Sequence, residues 1–71
     1  MRWDGMLTHA GLLAVAGDTY SAALIADKAW EAMSGGADFD DPYQYSKARN
    51  VASGLCAALW TAHRKELAHA Q

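Results

Sequence analysis

Asp41-Pro42-Tyr43-Gln44 constrains this chain more than any other stretch. An aspartate can accept hydrogen bonds from the free N–H groups of a helix's first turn. A proline at the first helical position loses nothing, because that N–H has no partner anyway. Gln44 stands where its amide can reach back to the cap. No proline follows before Gln71. Just upstream, Ser34-Gly35-Gly36 is a strong helix stop. The pattern predicts an all-α chain: a helix over 6–33, an acidic loop over 34–41 and a helix over 42–69, folded as an antiparallel helical hairpin.

A hairpin of 71 residues is one small domain, and a chain this short buries only about 60% of the surface its unfolded form exposes. It has a single cysteine and a single proline, so no staple makes up the difference. Yet hydrophobic residues make up 52% of the sequence. Part of that apolar surface is expected to meet another chain.

Helical periodicity shows which part. At 100° per residue the first segment carries two apolar stripes. A broad one holds Leu7, Leu12, Val15, Ala22, Ile25, Ala29, Trp30 and Met33, and a narrow one, roughly opposite, holds Leu13, Tyr20 and Leu24 beside Asp27 and Glu31. One hairpin partner covers one stripe. The second helix has an apolar arc through Tyr45, Val51, Leu55, Leu59 and Trp60, wider than a two-helix seam needs. Two copies closing on each other give a homodimeric four-helix bundle, with Leu13, Tyr20, Leu24, Leu55, Leu59 and Trp60 as the candidate interface. Gly17-Asp18 is the ambiguous point. A continuous or slightly kinked helix is favoured, since an interior glycine costs only about 1 kcal/mol. Asp18 would then fall on the broad stripe, where a lone carboxylate is costly. Alternatively it caps a fresh helix or pairs with His63 or Arg49.

The formal net charge of −2 gives no general pull toward nucleic acid. Lys47, Arg49, Arg64 and Lys65 are too few and too scattered for a phosphate track. Asp18, Asp27 and Glu31 lie on the first segment, so the opposite charges favour pairing of the two helices. Cys56 has no internal partner, which fits a reduced, cytoplasmic setting. Ala10 to Gly17 is apolar but far short of the ~20 residues of a membrane span. The run after Met1-Arg2-Trp3-Asp4 also lacks the form of a signal peptide. Cys56 and His63 are two turns, about 10 Å, apart along one helix, which is too far to share an ion without further ligands. His9 and His69 are candidates by type alone. The sequence holds no phosphate loop, no paired cysteines and no serine elbow. It implies neither an enzyme, nor a metal, nor a cofactor.

What remains is the hairpin tip. Asp38, Phe39, Asp40 and Tyr43 combine acids with aromatics. Part of this pattern is capping: Phe39 packs near the helix start and the acids favour its positive end. The rest suits docking on a basic protein surface, with aromatic anchors and paired carboxylates. In size, composition and lack of catalytic motifs the chain resembles small helical proteins that phages use against host regulators, such as anti-CRISPR proteins and quorum-sensing anti-activators. That resemblance implies a non-enzymatic inhibitor or modulator acting on a host protein, one with a basic DNA-binding surface being a reasonable target. It assigns no individual residues. The alternatives are a small dimeric DNA-binding regulator and a structural or assembly subunit.

Overall fold

The structure is a computed structural model that describes residues 2–33 and 39–70. It is all-α, with three helices and no strand among the described residues: α1 Trp3–Val15, α2 Thr19–Ala32 and α3 Pro42–Ala70. The fold measures 46 × 19 × 15 Å. Its length is that of α3, since 29 residues at 1.5 Å each span about 43 Å. Among the described residues no helix is long and apolar enough to cross a membrane.

The expected single helix over 6–33 does not form; it is two helices. The first begins at Trp3 and ends after Val15. Gly17 takes φ +93°, the left-handed region that side chains avoid. Its N–H donates to Ala14 O (3.0 Å), and the Asp18 N–H donates to Leu13 O (2.9 Å). These two bonds close the end of α1 as a Schellman turn. Asp18 then opens α2 directly, its Oδ1 accepting the Ser21 N–H at 3.1 Å. The carboxylate is therefore exposed at a cap, and the cost of burying it on an apolar stripe is avoided. The bond from the Ser21 N–H, then its hydroxyl, and more weakly His63 hold the Asp18 carboxyl below the ordinary aspartate range, against a small opposing effect of desolvation.

The third helix starts where Asp41-Pro42 requires. Asp41 Oδ1 accepts the Tyr43 N–H at 2.9 Å. Phe39 packs edge-on against Tyr45 (5.2 Å between centroids) and stacks on Trp3 (5.0 Å), which ties the start of α1 to the start of α3. The Ser34-Gly35-Gly36 stop lies outside the described residues.

The core is made largely of methyl groups. Ala10, Ala22, Ala23 and Ala26 are fully buried around Leu59, with Leu13, Ala14, Ile25, Leu55, Cys56 and Trp60 packed against them. Ala29, Ala52 and Met33 are buried as well. Small side chains let helices approach closely, but each buried methyl contributes only about 0.8 kcal/mol. Directional contacts supplement this seam. Trp60 Nε1 donates to both Asp27 oxygens (3.2 and 3.1 Å). The Thr19 hydroxyl donates to Glu66 Oε2 (2.7 Å) and lies 3.5 Å from His63 Nδ1. Arg49 donates to Trp30 O (3.0 Å), with its guanidinium 3.3 Å from the centre of the Trp30 ring. The expected attraction between oppositely charged helices is not what joins them: among the described residues the ion pair is Arg2–Asp4, at 3.8 Å within one exposed turn. Such a pair contributes little.

Candidate functional site

Two surfaces emerge from this packing. The first lies along the seam of α2 and α3. Tyr20, Leu24, Asp27 and Glu31 fall at i, i+4, i+7 and i+11, one stripe of α2. Tyr20 is 51% exposed and Leu24 39% exposed. The Tyr20 ring is nonetheless fixed, meeting Trp60 edge-on at 6.0 Å and His63 at 5.2 Å. Trp60 is anchored by Asp27, and His63 lies against Thr19. Covering a half-exposed aromatic braced from behind would cost little entropy, because little of its freedom is left to lose. Leu67, also exposed, sits one turn beyond His63 on α3. Asp18, Glu31 and Glu66 supply exposed carboxylates around the patch.

The second surface is a groove of about 730 Å³ between the start of α1 and the first half of α3. Trp3 and Leu7 line one wall, Tyr43, Lys47 and Val51 the other, and Asp40 and Asp41 the end. Trp3 Nε1 is buried without a hydrogen-bond partner among the described residues.

The expected tip residues divide between these roles. Asp38 lies outside the described residues. Phe39 is half-buried between Trp3 and Tyr45, so most of its ring serves the fold. Asp40 and Tyr43 stand exposed at the rim of the groove. The expected interface divides too. Tyr20 and Leu24 are open. Leu59 is 6% exposed and belongs to the chain's own core, with Leu13, Leu55 and Trp60 packed around it, which leaves these four little surface for another chain. The apolar arc of α3 was wide because one flank packs beside the Tyr20 patch and the other borders the groove.

Cys56 is half-buried, and its thiol is pushed up to about 11, chiefly by burial and further by the neighbouring Asp27 carboxylate. It is a weak nucleophile in this setting. His63 lies between Tyr20, Trp60 and Thr19 as a packing residue. No three of His, Cys, Asp and Glu come together as a metal-binding group among the described residues. Sequence reasoning missed the bond from Trp60 to Asp27, although a tryptophan on one apolar arc and an acid beside the facing stripe were visible signals. No family model, curated protein or solved structure matches this chain.

Proposed function

We propose that this chain is a small, non-enzymatic protein-binding modulator of the cytoplasm, built as an antiparallel hairpin of α2 and α3 with α1 folded against it, and working as a homodimer. Its target is a regulatory protein with a basic, DNA-binding surface, in the manner of the phage inhibitors it resembles. The antiparallel arrangement is supported by Thr19 reaching Glu66 while Arg49 reaches Trp30. Dimerisation is supported by a core that is mostly alanine beside exposed Tyr20, Leu24, Tyr43, Val51 and Leu67.

The observation that carries the binding role is the braced Tyr20. It stands half-exposed on Trp60 and His63, with Leu24 one turn on and Asp27 and Glu31 along the same stripe. Aromatic anchors with carboxylates at their edge suit a partner carrying arginine or lysine around an apolar spot. The DNA-binding alternative is weakened by Arg49, whose charge is spent on Trp30 inside the fold.

The test is affinity capture from cell lysate with wild type, Leu24→Lys and Tyr20→Ala, each melted in parallel. Leu24 is exposed enough that lysine should shift stability by no more than about 0.5 kcal/mol. The Leu24→Lys protein should keep its fold and lose the captured partner, and wild-type capture should weaken as salt rises. A folded Leu24→Lys protein that captures the same partner unchanged defeats this reading.

A further inference from the structure

We propose that a second copy of this chain lies antiparallel along the outer face of α3, the two-fold axis passing beside Gly54. This deepens the homodimer reading above and rests on it. It places the second copy on the face opposite the core seam, over the groove, and leaves the Tyr20 patch free for the other partner.

Tyr43, Lys47, Val51, Gly54, Ala58, Thr61 and Lys65 are all exposed, and they recur at steps of four or three residues. That is the spacing by which one helix lines a seam with another. The chain's own core uses a different side of α3, through Ala52 and Leu59. The centre of the strip is small: Val51, Gly54, Ala58 and Thr61. A Cβ added at Gly54 would meet nothing within 4 Å. Nothing inside the chain therefore requires glycine here, although glycine in a helix interior is weaker than alanine. A backbone approaching from outside would require it.

Charge selects the occupant and its direction. Asp40 and Asp41 stand exposed at the start of α3, and Arg64 and Lys65 stand exposed toward its end, where the acid Glu66 is turned toward Thr19 of the chain's own α2. With the axis beside Gly54, Lys65, eleven residues after it, faces Tyr43 of the other copy, eleven before it. Its ammonium then lies over an aromatic ring and within reach of Asp40 and Asp41. Two-fold symmetry makes this meeting twice. A parallel copy would set acid on acid and base on base. The groove borders only the first half of the strip, between Trp3 and Leu7 on one side and Tyr43, Lys47 and Val51 on the other. The second half of the other copy's α3, a helix about 10 Å thick, lies across it.

The experiment uses the full chain at micromolar concentration. In sedimentation, Gly54→Leu should weaken the dimer at least about tenfold. Ser53→Leu, exposed on another side of the same helix, should leave it unchanged. In sedimentation, Lys65→Glu should weaken the dimer about tenfold, and Asp40→Lys combined with Lys65→Glu should restore it, with circular dichroism verifying helix content throughout. Asp40 does not cap α3, so reversing it leaves the helix start intact. A dimer no weaker with Gly54→Leu than with Ser53→Leu, or one not restored by the double reversal, overturns this placement while leaving the homodimer. A monomer at every concentration overturns the homodimer reading as well.

Discussion

Replacing Gly17 by alanine distinguishes two folds by the sign of its effect. At φ +93° an alanine Cβ crowds its own backbone, although nothing else stands within 4 Å of it. Left-handed backbone costs a non-glycine residue about 1–2 kcal/mol. Alanine also restricts the unfolded chain, which returns about 0.4–1 kcal/mol. The net expectation is a loss of about 1 kcal/mol, or roughly 4–8 °C in Tm for a domain of this size. Were residues 6–33 one helix, the same change would remove an interior glycine and gain about 1 kcal/mol. Asp18→Ala follows the same logic. It loses the cap on Ser21 and about 1 kcal/mol if α2 starts at Thr19, but relieves a carboxylate on an apolar stripe if the helix is continuous. The assay is thermal denaturation of both variants by circular dichroism at several protein concentrations, so that any change in association is visible. A Gly17→Ala protein that melts higher than wild type refutes the broken helix and the turn that makes it.

Other consequences are testable with single substitutions. Leu59→Ala removes the one large fully packed aliphatic of the alanine cluster and should cost about 2–5 kcal/mol. For a small domain that is a large part of the total stability, and a Tm within a few degrees of wild type would show that Leu59 is not packed there. Cys56 should alkylate slowly near pH 8, its thiolate being roughly a hundredfold scarcer than that of an ordinary cysteine, and Asp27→Asn should accelerate the reaction. The unfolded thiol ionises from 9.0 upward while the folded one holds its proton to about 11, so this group's contribution to stability is intact below pH 9 and lost as pH rises through that window. In denaturation across pH, a Cys56→Ser protein should lose less stability there than wild type.

The parts legible in the sequence were those set by neighbours in the chain. Asp41-Pro42 determines where α3 begins through a cap whose donor is two residues away. The long amphipathic run after it required no knowledge of a partner. Gly17-Asp18 was harder because its two outcomes differ by about 1 kcal/mol locally, and packing decides between them. Breaking the helix lets α1 bring Ala10 and Leu13 back onto α2, a gain that appears only when distant residues meet. The same holds for Arg49. As a charge on a helix it pointed toward an acidic partner, but tertiary contact offered it a tryptophan face and a backbone carbonyl. Of the surfaces, Tyr20 and Leu24 were visible as a stripe. The groove was not, since it depends on where α1 lies beside α3.

An interior of alanines specifies its own alignment poorly. Ala22, Ala26 and Ala29 present nearly the same bump at each turn of α2, so sliding a neighbouring helix by one turn, about 5.4 Å, exchanges one methyl contact for another like it. Shape alone does not tell the two alignments apart. Trp60 on Asp27, Thr19 on Glu66 and Arg49 on Trp30 do, because each bond is directional and one alignment makes all three at once. These contacts act as pins on an otherwise smooth rail. A chain that lost two of them would keep its helix content and compactness yet sample shifted alignments, and the brace behind Tyr20 would move with every shift.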